Sequence, residues 1–290
     1  MHLTMIVRNE ERRIRRTLES VLPHIDSYTL LDTGSVDGTA AIAMQVLGDL
    51  PGQFIPKTWP DSFAAARNQA FEAARAFTCQ TTNPFLLVLD AGEQLGTDGS
   101  TPHLTADAYQ VQVNYAGCEF PSTRIFRARA PWVWKYRVHE AAYGVGSAEA
   151  LPGWEVFSDV AEAGPEKYAR YARLSELDLV DFPDDPRVTF YAAQNWFSAG
   201  QWRNALDRYE RRVALDAGNP DEVWYSAMQM GRCWENLGDK RAAAQCYAEA
   251  AAMAPHRAEP ARHLARLWAD VADSIPRPKA GLFVELGAYR

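Results

Sequence analysis

Acidic and basic residues suited to a phosphorylated ligand follow short apolar runs in the first half of the chain. Asp32 and Asp90 each close such a run, and Arg67 lies between them. A carboxylate binds a ribose, a base edge or a divalent cation, and a guanidinium binds a diphosphate through two parallel hydrogen bonds. An aspartate after a strand is also a common helix cap, so each residue alone is a weak signal. The order and spacing of the four segments predict one shared pocket; they are residues 4–11, 31–39, 59–68 and 87–95.

Strand and helix patterns alternate over this half of the chain. The apolar runs are residues 3–7, 28–32, 53–59 and 85–89. Between them apolar residues recur at helical spacing, and Asn9 is expected to cap the first helix. This alternation predicts an α/β fold with a mostly parallel sheet, whose ligands bind at the carboxyl ends of the strands. Asp32 and Asp90 are therefore expected on the same rim.

From about Tyr168 onward helix follows helix, with an internal repeat. Three residue types recur with a spacing of 38 residues, as Gly200 and Gly238, Ala205 and Ala243, and Tyr209 and Tyr247. This pattern predicts helical hairpins that resemble tetratricopeptide (TPR) repeats, whose period is about 34 residues. The hairpins are either a stabilising extension or a surface for a large partner or a second protomer. We therefore divide the chain into residues 1–165, residues 166–275 and a tail at 276–290.

Composition and charge exclude some classes of protein. The formal net charge is −7 and the isoelectric point is about 5.4, so no overall basic field attracts nucleic acid or an anionic membrane. The four cysteines show no zinc-ligand spacing and are expected to be reduced thiols. No apolar run is long enough to span a bilayer, and we expect a cytoplasmic protein without a membrane contact.

One stretch departs from the acidic balance. Residues Arg124 to Arg137 include five cations and no acid, together with Trp132, Trp134 and Tyr136. A solvated strand face explains this composition as well as an anion-binding rim does. The second interpretation allows the diphosphate of a donor molecule, a DNA or RNA strand, or an acidic peptide as the partner.

Taken together, the four segments resemble the family 2 glycosyltransferases with the GT-A fold. The resemblance covers about residues 3–145 and is strongest for the subgroup with a Met-Ile-Val-x-Asn-Glu-Glu start and trailing helical repeats. That subgroup includes the S-glycosyltransferases that modify bacteriocin peptides. The resemblance implies transfer of a sugar, with inversion, from a nucleotide-diphosphate donor, a UDP-sugar, to a peptide, a protein or a nucleic acid. It is also consistent with a homodimer formed through the helical repeats.

The same resemblance implies roles for individual residues. The nucleotide and its diphosphate are expected to contact Val7, Asn9, Glu11, Asp32, Asp61, Arg67 and Asn68. A divalent metal, Mn²⁺ or Mg²⁺, is expected on Asp90 and on His139 of the Val138-His-Glu140 element. Glu140 and Glu93 are the carboxylates expected to act as the catalytic base.

One departure from the family pattern bears on the metal. Relatives carry a second acid two residues after the first acid of the metal motif, and this chain has Gly92 there. Three interpretations stay open. The ion is held weakly by Asp90, His139, water and Glu93; or Arg or Lys neutralises the diphosphate without a metal; or the domain is inactive and serves as a scaffold for a protein-binding repeat module.

Overall fold

The computed structural model describes residues 1–100, 102–144, 146–159 and 164–274. The chain forms two compact units, of which the first ends at Ala163 and the second begins at Gly164. No helix in the described ranges combines the length and the apolar character that crossing a membrane requires. The tail expected at residues 276–290 lies outside the described residues.

The described part of the first unit is an eight-stranded sheet with helices packed against it. Its elements are β1 (His2–Val7), α1 (Ile14–Val21), β2 (Ser27–Asp32), α2 (Thr39–Leu47), β3 (Gly52–Pro56), α3 (Phe63–Phe77), β4 (Phe85–Val88), β5 (Glu93–Thr97), β6 (Ala108–Tyr115), β7 (Cys118–Arg127), β8 (Val133–Lys135), β9 (Ala141–Tyr143) and β10 (Ala148–Ser158). The strand order is β3-β2-β1-β4-β7-β6-β10-β5, and β8 and β9 form a separate antiparallel pair.

The sheet has a parallel half and a mixed half. Strands β3, β2, β1 and β4 run parallel to their neighbours. Strand β7 is antiparallel to β4 and to β6, and β10 is parallel to β6 but antiparallel to β5. The predicted α/β fold followed by a helical unit is confirmed, and its sheet is mixed beyond β4.

The central strands bury side chains on both faces of the sheet. Leu3 and Leu87 belong to the core beneath α1 and α2, whereas Leu86 and Val88 pack with Phe71 of α3 in a second core. Burial on both faces removes the polar alternation of a half-exposed strand. This is why these strands were recognisable in the sequence as continuous apolar runs.

The first helix begins later than expected. Helix α1 starts at Ile14, and the carbonyl oxygen of Glu10 accepts hydrogen bonds from the amides of Arg13 and Ile14 at 2.9 and 2.8 Å. Asn9 has a φ of 55°, in the left-handed region, so it is not the helix cap. The prediction was wrong because the Asn9 side chain binds a neighbouring loop instead of the helix start.

The second unit is made of helices that pack in sequence order. They are α4 (Pro165–Asp181), α5 (Pro186–Ser198), α6 (Trp202–Leu215), α7 (Pro220–Leu237), α8 (Lys240–Met253) and α9 (Glu259–Ser274). The repeat of 38 residues corresponds to two hairpins, α5–α6 and α7–α8. Gly200 and Gly238 make the turns with φ of 73° and 88°. The predicted helical repeats are confirmed.

The repeated tyrosines tie the two helices of each hairpin together. Tyr209 on α6 donates a hydrogen bond to Gln194 on α5 at 2.7 Å, and Tyr247 on α8 donates one to Glu235 on α7. Both tyrosines are fully buried. A buried ring with a satisfied hydroxyl fixes the spacing of the hairpin, which explains why the tyrosine recurs at the same position.

We expect Gly231→Ala to lower the free energy of unfolding by about 1–3 kcal/mol, because overpacking a filled core forces its neighbours to shift. A Cβ at Gly231 would lie 2.5 Å from the Tyr247 ring. Urea unfolding followed by circular dichroism measures the loss. In a Tyr247→Ala background the same substitution should no longer destabilise the protein, since the ring is gone. Equal losses in the two backgrounds would contradict this packing.

Candidate functional site

Two loops at the carboxyl ends of β1 and β2 are bound to each other. The amide of Asn9 donates to the Ser35 hydroxyl at 3.0 Å, and the Asn9 side-chain oxygen accepts from the amide of Val36 at 2.9 Å. The Glu11 carboxylate accepts from the amide of Gly38 at 2.9 Å. Adjacent parallel strands end at the same edge, so their loops meet there. Asn9 and Glu11 thus shape the rim through these hydrogen bonds.

The side chain of Val7 lies in the core. It is 2% exposed, and its carbonyl oxygen accepts a hydrogen bond from the amide of Thr33 at 2.9 Å. Val7 therefore supports the loop after β2 through its backbone. Its expected contact with the nucleotide stays a prediction.

Asp32 ends β2 and organises the loop that follows. Its Oδ1 accepts hydrogen bonds from the amides of Gly34 and Ser35 at 3.1 and 2.8 Å. Gly34 has a φ of 104°, which permits this tight turn. Oδ2 makes no hydrogen bond with the part of the chain that the structure describes, so Asp32 retains one acceptor for a ligand at the rim.

Asp61 and Ser62 precede α3 and have different roles. The Ser62 hydroxyl accepts a hydrogen bond from the amide of Ala65 at 3.1 Å and caps the helix. Asp61 is exposed and has a φ of 51°. The helix start is thus satisfied by Ser62, and the Asp61 carboxylate is at the surface.

Arg67 bridges two carboxylates. Its Nε donates to Glu140 at 2.6 Å, and its Nη2 donates to the two carboxylate oxygens of Asp90 at 2.9 and 3.0 Å. Its guanidinium also lies 5.0 Å from the ring centre of Trp134. Burial alone would lower the pKa of Arg67, but the two carboxylates outweigh it and raise that pKa. Arg67 therefore holds three separate segments together, and its charge is already shared.

Asn68 fastens the tryptophan-rich segment to α3. Its side-chain oxygen accepts from the amide of Trp134 at 2.8 Å, and its nitrogen donates to the carbonyl oxygen of Trp134 at 2.9 Å. The amide of Phe63 donates to the carbonyl oxygen of Arg137 at 2.8 Å. These contacts place Glu140 next to Arg67. The side chain of Asn68 is used for positioning, and only the abundance of tryptophan in residues 132–134 hinted that this segment packs against a helix.

Glu93 is an internal residue. Its carboxylate accepts hydrogen bonds from the amide of Asp90 at 2.8 Å and from Arg124 at 2.6 Å, and the residue is 5% exposed. Burial raises the pKa of Glu93 and the Asp90 carboxylate adds to this effect, while Arg124 offsets part of it. Both carboxylate oxygens accept hydrogen bonds from the protein, and the role of Glu93 as a base stays a prediction.

The carboxylate of Asp90 is more exposed than that of Glu140. Its side chain is 42% exposed, compared with 12% for Glu140. Burial raises the pKa of Asp90, but Arg67 and Arg124 and the hydrogen bonds from Arg67 outweigh this effect and lower that pKa. Asp90 is therefore a charged acceptor on the rim above β4.

The residues around Gly92 do not fit a divalent metal ion. Among the described residues, no group of three or more His, Cys, Asp or Glu side chains is placed to hold a metal. The Asp90 oxygens are hydrogen-bonded to Arg67, and His139 is half-buried with a φ of 51°. Gly92 has a φ of 100°, where a side chain is strained. The expected ligand pair Asp90 and His139 therefore lacks the further protein ligands that a resident ion requires.

The basic stretch from Arg124 to Arg137 does not act as one charged surface. Arg124 binds Glu93, and Arg127 binds Asp107 at 3.2 Å and backbone carbonyl oxygens of the preceding loop. Arg129 donates to the carbonyl oxygen of Thr81 at 3.2 Å. Arg124 and Arg127 are paired with carboxylates of the protein, whereas Arg129 is exposed and bound only to backbone carbonyl oxygens. The pairing favours a structural role for Arg124 and Arg127 over a nucleic-acid groove.

Residues 3–134 match the family profile "Glycosyl transferase family 2". This range contains the strand-end residues Asp32 and Asp90 together with Arg67 and Glu93. The first unit carries a family 2 glycosyltransferase domain. The resemblance seen in the four segments is thereby confirmed for this unit.

Similarity also extends to other proteins. The TPR repeat-containing protein Synpcc7942_0270 of Synechococcus elongatus is 44% identical over 93 residues, which are 32% of this chain and 20% of that protein. The chain thus covers about a fifth of the length of this curated relative. A crystal structure of S. aureus TarS 1–349 in complex with UDP has a TM-score of 0.41 and 12% identity, covering 94% of this chain and 91% of that one. The first TPR of Spaghetti (RPAP3), bound to an HSP90 peptide, has a TM-score of 0.33 and 17% identity, covering 37% of this chain and 82% of that one.

We expect Asn68→Ala to lower the free energy of unfolding by about 1–3 kcal/mol, because it leaves partly buried backbone groups of Trp134 without their partner. Limited proteolysis should then cut the segment 132–140 faster. The matched control is Gln69→Ala, whose side chain is exposed on the same helix. Equal protease sensitivity of the two variants would show that the clamp does not hold the segment.

Proposed function

We propose that this chain is a glycosyltransferase that moves a sugar from a nucleoside-diphosphate donor to a macromolecular acceptor. The family 2 domain at residues 3–134 carries the proposal. The rim supports it further, since Asp32 keeps one carboxylate oxygen without a hydrogen bond among the described residues. A carboxylate at this place suits a ribose hydroxyl or the N–H of a base. Uridine diphosphate is the carrier that the family resemblance implies, so UDP-sugars are the first donors to test.

The reaction is a direct displacement with inversion at the anomeric carbon. A lone pair of the acceptor oxygen, sulfur or nitrogen forms the new bond to this carbon. The bond from the carbon to the diphosphate oxygen breaks, and its electron pair stays on the diphosphate. The proton of the acceptor passes to a carboxylate of the protein. The protein must therefore supply a base for the acceptor and positive charge for the leaving diphosphate.

Glu140 is the proposed base. Arg67 binds its Oε1, so the carboxylate is fixed at one oxygen, while Glu93 has hydrogen bonds at each of its two oxygens. A base needs an oxygen that can reach the acceptor. The contacts of the two residues therefore favour Glu140 for this role over Glu93.

The helical repeats support a large acceptor. Stacked hairpins present an extended surface that a monosaccharide acceptor does not need. A peptide or protein agrees with the pairing of Arg124 and Arg127 better than a nucleic acid does, because these two cations are already bound to carboxylates of the protein. The competing function is that of a scaffold, in which the first unit has lost its activity and the repeats bind a protein. Gly92 favours the scaffold, because it replaces the second acid of the metal motif.

Calorimetric titration with nucleoside diphosphates and their sugars tests the donor. We expect Asp32→Asn to weaken UDP binding about tenfold or more, because the amide nitrogen replaces the accepting Oδ2 while Oδ1 still serves the loop. Asp49→Asn, which removes the same charge from an exposed position after α2, should bind as the unchanged protein does. If the unchanged protein binds none of these nucleotides, the scaffold function is the correct one.

For the base, we expect Glu140→Gln to lower turnover about a hundredfold or more, as loss of a general base does, with donor binding retained. Transfer of a radiolabelled sugar, or donor hydrolysis in the absence of an acceptor, measures the effect. Glu93→Gln is the comparison, and its turnover should fall less than that of Glu140→Gln. The reverse order would assign the base to Glu93.

A further inference from the structure

The proposed donor brings a diphosphate to the rim. The diphosphate becomes more negative when its bond to the sugar breaks. Positive charge has to be placed there in advance for the reaction to proceed. Two arginines next to Asp90 are already paired with carboxylates of the protein. Arg67 is 8% exposed and divided between two carboxylates, and Arg124 is 13% exposed and paired with Glu93. Neither side chain can turn to a ligand without leaving a buried acid unpaired, which is costly.

Arg13 differs from these two arginines. Its side chain is 33% exposed, and its Nε and Nη2 donate to the same oxygen of Glu10 at 3.0 and 2.6 Å. Its Nη1 and Cδ lie 3.3 Å from the place that a Cβ on Gly92 would occupy. Arg13 thus combines an ion pair on one side of its guanidinium with an open side at the rim.

The position of Gly92 explains how Arg13 comes to lie there. The amide of Gly92 donates to the hydroxyl of Thr17 in α1 at 3.0 Å, so the start of α1 packs against the loop after β4. Strands β1 and β4 are parallel neighbours, which brings the two loops to the same edge. With a φ of 100° and no side chain, Gly92 leaves the space that the arginine fills.

The charge next to position 92 is therefore positive, where the family pattern places a negative one. The family resemblance assigns an acid to position 92, where it would bind a metal ion that in turn binds the diphosphate. This chain has no side chain at that position and a guanidinium beside it. The charge of Asp90, the remaining acid of the motif, is balanced by Arg67.

We propose that Arg13 binds the donor diphosphate in place of a divalent ion, so that nucleotide binding by this chain does not depend on a metal. The inference rests on the proposed function, because it names the group that receives the leaving diphosphate. The guanidinium offers parallel N–H donors to phosphate oxygens and stays charged throughout. When the bond between the anomeric carbon and the diphosphate oxygen breaks, the electron pair remains on that oxygen, and Arg13 stabilises the added charge without transferring a proton. Glu10 holds the guanidinium in place.

The test is calorimetric titration with UDP in buffer with EDTA and in buffer with Mn²⁺. The unchanged protein should bind UDP equally well in both. Arg13→Gln should weaken binding about tenfold or more, which corresponds to the loss of a charge-assisted hydrogen bond. The matched control is Arg12→Gln, which removes the same charge from the exposed neighbouring residue and should bind as the unchanged protein does. Arg13→Lys should keep part of the affinity, since it retains the charge but not the paired donors.

The comparison of buffers and the comparison of variants distinguish a failure of the inference about Arg13 from a failure of the proposed function. Binding that appears only with Mn²⁺ would overturn the inference and leave the proposed function in place. Equal affinities for Arg13→Gln and Arg12→Gln would also overturn it. The comparison of EDTA with Mn²⁺ uses the unchanged protein, so it decides the question even if Arg13→Gln does not fold. Absence of binding to UDP and to the other nucleoside diphosphates under both conditions would overturn the proposed function itself, and the inference with it.

Discussion

The first unit depends on one buried cation, the guanidinium of Arg67. It joins Asp90 at the end of β4 to Glu140 beyond the tryptophan-rich segment, and it is itself carried by α3. Removing one partner from a buried pair such as Arg67 and Glu140 costs about 3–5 kcal/mol, because the remaining charge is left without compensation. The three segments therefore have to be in place together. Arg67, which the sequence suggested as a ligand contact, therefore holds the segments of the rim together.

Ion pairs between side chains of the protein also determine which charged groups of the rim are left for a ligand. The network leaves few charges unbalanced: Glu93 is satisfied by Arg124, and Glu10 by Arg13. Most of these groups fix the shape of the site instead of contacting a ligand. Preorganised charges of this kind cost no reorganisation when a substrate binds. The second oxygens of Asp32 and Glu140, the exposed carboxylate of Asp90 and the exposed side of Arg13 remain available.

The two units are stabilised in different ways. The hairpins of the second unit repeat a local arrangement in which a glycine turn and a buried tyrosine join neighbouring helices, so each contact lies close in sequence. The first unit joins distant segments, as in the ion pairs of residue 67 with residues 90 and 140. A repeat can tolerate change in one hairpin, whereas the rim requires every distant segment at once.

The sequence by itself determined the α/β class, the parallel strands up to β4, the helical hairpins and the presence of Asp32 and Asp90 on one rim. These features have local causes: continuous apolar runs, helical spacing of apolar residues and a glycine and tyrosine recurring at fixed distance. The start of α1 was missed because the Asn9 side chain has a competing partner in another loop, which no local pattern reveals. The mixed half of the sheet and the separate partners of the arginines between residues 124 and 129 were decided by tertiary structure, since both depend on pairing between distant segments. The uses of Arg67, Asn68, Glu93 and Arg13 were decided in the same way: the type of a charged residue shows which interactions it can make, and only the fold selects the partner that it does bind.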